Sequence, residues 1–214
     1  MYLVMLGPPG AGKGTQADLL SREYDIPHVS TGDMLRSAVA DETKLGEKAQ
    51  EYMDRGELVP DDVVIGITRQ RLVAPDVDDG FVLDGFPRTV EQARRLDSIL
   101  QEMGTVLDLV INLEVPESEL IRRMTGRRIC PLCGRNYHLV FNAPRSLGVC
   151  DECGSDLIQR EDDEESVVSQ RLKVYRETSE PLTDYYEDKG LLVNVDGRGP
   201  VEQVYQEIGN IIKS

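Results

Sequence analysis

Short apolar runs alternate with amphipathic stretches along most of this chain. The runs at 2–6, 27–30, 81–84, 106–113 and 191–195 have the length and continuity of strands buried on both faces. Between and after them, the stretches 13–24, 31–40, 44–54, 61–73, 89–102, 117–125, 164–188 and 201–213 predict helices. Strands separated by helices predict a parallel sheet covered on both sides, a three-layer α/β fold around five strands. Thr31-Gly32-Asp33 reads as a cap and first helical turn, and Val115-Pro116 as a break before the next helix. Pro181, inside the long stretch 164–188, should kink or interrupt it.

Two segments depart from the alternation. Residues 31–60 put extra helices between two strands. Residues 127–163 carry all four cysteines and no helical periodicity, which predicts a small inserted module. A chain of 214 residues is long enough for one domain with such insertions.

The first strand runs into Gly7-Pro8-Pro9-Gly10-Ala11-Gly12-Lys13-Gly14-Thr15. A strand, a glycine-rich loop and a lysine opening a helix make a cradle for polyphosphate. Glycines let backbone N–H groups turn onto anionic oxygens, and the helix aims its positive end at the same place. Lys13 adds a full charge near the outer phosphates. Gly7, Gly12 and Lys13 have the P-loop spacing, but the position that usually holds the magnesium-touching Ser or Thr is Gly14, with Thr15 one residue later. Magnesium is therefore expected to be held differently, through water.

Charge narrows the partners. Lys and Arg number 24 against 39 Asp and Glu, a net charge of −15. That excess argues against nucleic acid, whose phosphates need cations. No stretch approaches the ~20 apolar residues of a membrane helix. No basic segment followed by an apolar core precedes the first strand, so a cytoplasmic enzyme is the expectation. The cations are 18 Arg and only 6 Lys, mostly the planar kind suited to phosphate. A carboxylate-rich, lysine-poor surface fits both adaptation to high salt and compositional drift.

Cys130-x2-Cys133 and Cys150-x2-Cys153 have the spacing of a tetrahedral metal site. Each two-residue gap allows a tight knuckle presenting two thiolates, and Gly134 and Gly154 follow where a knuckle needs a permissive backbone. In a reducing compartment metal is favoured over disulfides, and paired knuckles favour zinc over an iron–sulfur cluster. Four protein ligands make the ion structural, a staple for a module too small to build much core. His138 is not needed as a ligand.

Asp84-Gly85-Phe86-Pro87-Arg88 follows the apolar run Phe81-Val82-Leu83, at the carboxyl end of a strand, where open α/β sheets bind ligands. Asp84 suits a magnesium ion or its waters, and Arg88 suits a bidentate phosphate grip. Arg36, Arg123, Arg127, Arg160 and Arg171 are further phosphate candidates.

Over essentially its full length the chain resembles the adenylate kinases with a long, zinc-binding LID. The carrying residues are Gly7 to Thr15, Ser30-Thr31-Gly32-Asp33-Met34-Leu35-Arg36, Asp84 to Thr89, Gly126-Arg127-Arg128 and Arg160-Glu161-Asp162-Asp163. Gly14-Thr15 is normal in that family. The resemblance implies ATP + AMP ⇌ 2 ADP, with Mg²⁺ on ATP and structural Zn²⁺ in the LID, in a cytoplasmic monomer with no nucleic-acid or membrane partner. It implies a CORE (1–29, 60–126, 165–214) with sheet order 2-3-1-4-5, an AMP-binding insert (30–59) and a LID (127–164). By motif, Gly10, Ala11, Gly12, Lys13, Gly14, Thr15, Arg127, Tyr137 and Gly199 would bind ATP. Thr31, Arg36, Glu57, Leu58, Val59, Gly85, Phe86, Pro87, Arg88, Gln92, Arg160 and Arg171 would bind AMP. Lys13, Arg88, Arg123, Arg160 and Arg171 would stabilise the transferred phosphoryl group, and Asp33 and Asp84 would order magnesium waters. Another nucleoside monophosphate kinase, or one using GTP as donor, is the neighbouring reading. A zinc-ribbon nucleic-acid module with an NTPase loop is the distant one, which the net charge opposes.

Overall fold

The computed structural model describes residues 1–213. Five parallel strands form the central sheet: β1 (Tyr2–Leu6), β2 (His28–Ser30), β3 (Phe81–Asp84), β4 (Leu109–Glu114) and β7 (Leu192–Asp196). Their order is β2-β3-β1-β4-β7, which is 2-3-1-4-5 counted along the parallel strands alone. The remaining two strands, β5 (Arg127–Ile129) and β6 (Asn136–His138), pair antiparallel in the cysteine segment.

The period-two alternation within each apolar run divides the core into two layers. In β1, Val4 and Leu6 join one layer with Phe81, Leu83, Phe86, Leu96 and Val110. Leu3 and Met5 join the other with Val82, Ile111, Leu113, Leu20 and Ile208. Both layers must be covered by helices, which is why the runs read as continuous rather than alternating in polarity. Truncating one of these large side chains to Ala costs about 2–5 kcal/mol.

Helices α1 (Lys13–Tyr24), α2 (Thr31–Ala40), α3 (Lys44–Asp54), α4 (Asp61–Leu72), α5 (Val90–Glu102) and α6 (Glu117–Thr125) match the predicted stretches. Ser30 caps α2 by accepting from the Asp33 N–H, and Thr89 caps α5 by accepting from the Gln92 N–H. Helix α9 (Val201–Ile212) closes the described chain.

The long stretch 164–188 differs from expectation. It forms α7 (Glu165–Val174), a π turn at Tyr175–Ser179 and α8 (Leu182–Glu187). Pro181 does break the helix, but the disturbance starts upstream, because a proline lacks its N–H and its ring clashes with the carbonyl four residues earlier. Strand β4 also begins three residues later than the apolar run, at Leu109.

The two inserted segments approach each other across the carboxyl end of the sheet. Arg160 Nη2 lies 3.7 Å from Asp33 Oδ1. Gly56, at φ +67°, packs so closely on α7 that a Cβ there would sit 3.0 Å from Arg171 Cγ.

A net charge of −15 is self-repulsion that mobile ions relieve. Between 0.1 and 1 M KCl the Debye length falls from about 10 Å to about 3 Å. The melting temperature is expected to rise over that range, by about 2–4 °C per kcal/mol of repulsion relieved. A scanning-calorimetry series checks this, and a falling melting temperature would mean that surface ion pairs outweigh the net charge.

Candidate active site

The loop after β1 is bent by its glycines. Gly10 has φ +83°, and a Cβ there would meet Met124 Cγ at 2.8 Å. Gly12, at φ +100°, caps α1. Lys13 folds back over the loop and donates to Gly7 O (2.7 Å) and Pro8 O (2.9 Å). Its amine is lowered to about 8, chiefly by burial, with Asp84 opposing and Arg88, Arg171 and Arg127 adding to the fall. Gly14 faces Asp84: a Cβ would stand 3.2 Å from Asp84 Oδ2. The residue that departs from the general P-loop pattern is the one whose side chain would crowd this carboxylate.

The arginines converge. Arg127 grips Asp163 with Nε and Nη2, at 2.7 and 2.5 Å. Arg171 Nη1 donates to Asp162 O at 2.8 Å and lies 3.5 Å from Asp163 Oδ1. Asp163 is fully buried, so it anchors both guanidinium groups from behind. Arg36 donates to Asp33 Oδ1 at 2.5 Å, and Arg160 Nη2 lies 3.7 Å from the same oxygen. Arg160 and Arg171 are each lowered to about 10, chiefly by burial; Arg36 and Arg127 deepen the fall at Arg160, while at Arg171 Asp162 opposes it ahead of the smaller lowering by Arg127. Arg160 is only 13 % exposed, and its Nε is buried with no partner. A buried cation with an unused donor, beside other cations, is a place for an anion.

Arg123 stands on the loop side. Its Nη1 donates to Gly197 O at 2.9 Å and reaches Ala11 O at 3.5 Å, while Nη2 reaches Arg198 O at 3.4 Å. It therefore ties the turn before Gly199 to the P-loop.

Opposite the loop, Gly85 (φ +79°) brings the chain against Thr31, where a Cβ would sit 2.9 Å from Thr31 Oγ1. The Arg88 N–H donates to Gln92 Oε1 at 2.7 Å, and Arg88 Nε donates to Gly85 O at 2.9 Å. Gln92 Nε2 and Thr89 Oγ1 both donate to Asp61, at 2.7 and 2.9 Å. Ser179 Oγ donates to Arg88 O at 2.9 Å, so the end of the π turn also holds this arginine. The buried Phe86 and Pro87, joined by a cis peptide bond, back the same turn. Glu57, Leu58 and Val59 approach from the helical insert, with Val59 buried in the core layer and the Glu57 N–H tied to Tyr52 O.

Several supports carry no motif that sequence reading could have used. His28 stands between two carboxylates, with Nδ1 2.7 Å from Asp18 Oδ1 and Nε2 3.8 Å from Asp84 Oδ2. Burial disfavours its charge, but Asp18 and Asp84 outweigh burial and raise its pKa to about 9. Asp84 in turn is held below the usual carboxylate range: burial opposes this, and His28, Lys13 and Arg88 prevail. Asp61 and Ser179 are likewise visible only in three dimensions. Asp162 and Asp163 lie in a motif, but their burial does not show in it.

The four cysteines form one cluster whose sulfurs all lie within 4.8 Å of one another, a set that could hold a single metal ion. Both knuckles have the same form: the Gly134 N–H donates to Cys130 O and the Gly154 N–H to Cys150 O, each at 3.0 Å, with the glycines at φ +75° and +73°. No other group of three or more such ligands occurs among the described residues. Tyr137 is not brought to the phosphate loop by its side chain. Its ring is buried against Cys130 and Cys150, its hydroxyl accepts from the Asp151 N–H at 2.8 Å, and Cys150 Sγ lies 3.5 Å away. His138 is no ligand: its Nδ1 accepts from the Val140 and Phe141 N–H groups.

Two outcomes follow from this geometry. His28 has a folded pKa near 9 against 6.5 when free, so its contribution to stability is complete below about pH 6.5 and lost as pH rises through 9. Urea midpoints from pH 6 to 10 should fall more steeply for the parent protein than for His28→Gln, and parallel curves would refute this. Stripping any ion held by the four cysteines with a chelator should lower the melting temperature strongly. Tyr137→Phe should weaken metal affinity by about 10-fold, read by chelator competition, because it removes a hydrogen-bond donor beside a ligand. An unchanged affinity would leave Tyr137 a packing residue only.

Comparison with known proteins agrees with this arrangement. The adenylate kinase family model matches residues 5–191. Relatives named adenylate kinase include those of Archaeoglobus fulgidus and Carboxydothermus hydrogenoformans. The first is 55% identical over 213 residues, covering 100% of this chain and 98% of the relative; the second is 55% identical over 213 residues, covering 100% of each. The Bacillus licheniformis adenylate kinase is 55% identical over 212 residues, 99% of this chain and 98% of its own. With its phosphate loop, its facing arginine-bearing turn and this full-length likeness, the chain belongs to the adenylate kinase family.

Proposed function

We propose that this chain transfers the terminal phosphoryl group of ATP directly to AMP, ATP + AMP ⇌ 2 ADP. The observation that carries this reading is the cationic chamber itself, with the Arg160 Nε buried and unpartnered and its guanidinium 3.7 Å from Asp33. Two polyphosphate-sized anions meeting end to end would supply the missing negative charge.

On the donor side, Gly10 to Thr15 give backbone N–H groups and the helix terminus, and Lys13 leaves the Gly7 and Pro8 carbonyls for the outer phosphates. Arg127 and the turn at Gly199 flank the nucleoside end, with Tyr137 contributing through its backbone. On the acceptor side, Thr31, Arg36, the Glu57–Val59 backbone, Gly85 to Arg88 and Gln92 hold AMP. Arg123, Arg160 and Arg171 close around the group in transit. Phosphoryl transfer needs alignment and charge neutralisation more than covalent help, and an AMP phosphate is already an anion. No general base is needed, which agrees with His28 being engaged by Asp18 and Asp84.

Asp33 and Asp84 are the residues that would order the waters of Mg²⁺, which would supply neutralising charge to the phosphates when bound. Cys130, Cys133, Cys150 and Cys153 would hold Zn²⁺, and with it residues 127–164 would form one rigid LID over a CORE and the AMP insert at 30–59. No helix among the described residues is long and apolar enough to cross a membrane, and the reading is of a cytoplasmic monomer. Closure of the LID excludes water that would otherwise hydrolyse ATP.

The test is ADP formation with AMP, GMP, CMP or UMP as acceptor and ATP or GTP as donor. Turnover should require AMP and prefer ATP; turnover with another acceptor would move the chain to a neighbouring specificity. Arg88→Ala should lower kcat by about 10²–10³-fold, as loss of a transition-state donor does. A near-parental rate would remove Arg88 from the chamber.

A further inference from the structure

The helix that leaves the cysteine segment ends in a turn that reaches a distant part of the chain. Helix α7 carries Arg171, and beyond it lies the π turn at Tyr175–Ser179, closed by the Glu180 N–H donating to Tyr175 O at 3.0 Å. Such a bond encloses one residue more than an α turn, and each residue of an α-helix accounts for about 100° of rotation. In an unbroken helix Ser179 would fall about two turns beyond Leu172 and about three beyond Val168, on the stripe these residues bury in an apolar layer. The wider turn swings Ser179 off that stripe. Thr178 stays on its own helix, its Oγ1 donating to Val174 O at 2.7 Å, while Ser179 Oγ donates to Arg88 O at 2.9 Å.

That carbonyl lies one residue before the Thr89 cap, outside the ladder of α5. The Arg88 N–H is held by Gln92 Oε1, and Arg88 Nε by Gly85 O. Both of those partners lie within four residues of Arg88, so they move with the turn they stabilise. Ser179 is 91 residues away and ties the turn to a separate helix. It is 9 % exposed, so water competes little for the bond. Arg88 is then fixed at its N–H, its side chain and its carbonyl.

We propose that Ser179 is a positioning residue for Arg88 and that the π turn delivers it. The inference rests on Arg88 gripping the acceptor phosphate, as read above. It adds that one helical segment holds two of the chamber's arginines, Arg171 as its own side chain and Arg88 through Ser179. Without the hydroxyl, the Arg88 peptide plane is free to turn and carries the guanidinium off the acceptor. Lys13 and its loop, tied to Gly7 O and Pro8 O, hold ATP as before. The loss therefore falls on one substrate.

The experiment is steady-state ADP formation by the full chain, with AMP and ATP varied separately, for Ser179→Val and Ser179→Thr. Valine and threonine share one shape and differ in the hydroxyl. Ser179→Val should lower kcat/KM for AMP by about 10–100-fold, the scale on which a misplacement of up to about 1 Å acts, and leave the KM for ATP within about twofold. Ser179→Thr should recover most of the loss. Equal losses for both substrates, or no recovery with threonine, would make Ser179 a stability residue and overturn the proposal. Ser179→Ala removes the hydroxyl without added bulk, should show the same split, and carries the test if the valine variant does not fold. In an Arg88→Ala background, Ser179→Val should change kcat/KM for AMP by less than about twofold, because a residue that acts through Arg88 has nothing left to position. Additive losses would overturn the proposal. A parental chain that forms no ADP from ATP and AMP would overturn the transfer reading and this inference with it. Parental turnover with an unaltered Ser179→Val would overturn the inference alone.

Discussion

Like charges held together in a water-poor cleft repel, and this structure is arranged around that cost. Two unit charges about 4 Å apart interact by about 4 kcal/mol at an effective dielectric near 20. Lys13, Arg88, Arg160 and Arg171 all lie within one another's fields or those of Arg36 and Arg127, and all have lowered pKa values for which burial is the largest cause. Such a gathering persists only if acidic partners anchor it from outside and an anion completes it from inside. Asp33, Asp84, Asp162 and Asp163 are the anchors. The opening they leave is where phosphates fit, so the repulsion becomes binding energy for a ligand carrying many negative charges.

The parallel sheet is what makes the gathering possible. All five strands end on one side, so the loops after β1, β2 and β3 share one rim. The phosphate loop follows β1, the Ser30–Arg36 turn follows β2, and the Asp84–Arg88 turn follows β3. Their spacing is fixed by the register Met5 with Asp84 and Ser30 with Asp84, which neither loop can change without flipping a strand's core face. His28 sits at the start of β2 within reach of Asp84, so that β2 contributes charge as well as position.

The sheet, most helices and the four-cysteine cluster were legible because each is a local pattern. An apolar run, a two-residue gap between cysteines or a glycine before a lysine carries its meaning within a few residues. The π turn at Tyr175–Ser179 was not legible, because the sequence there stays helical in periodicity and only the proline downstream changes the ladder. The anchors were hidden for another reason. Asp61, Asp163 and Ser179 matter through partners 28 to 91 residues away, and a single aspartate in an acidic chain carries no sign of its burial. Tyr137 is a further case: its motif position carries no sign that packing commits its side chain to the cysteines.

The acidity of the chain has a different meaning at the rim than elsewhere. Spread over the surface, carboxylates lend solubility and repel one another. Beside the phosphate loop they lower the local potential at the place where a nucleotide must bind, an arrangement that works against the cationic chamber a few residues away. Glu114, Glu180 and Glu187 are therefore not neutral decoration. They set up a competition between outward negative charge and inward positive charge, with Pro8 standing between the two.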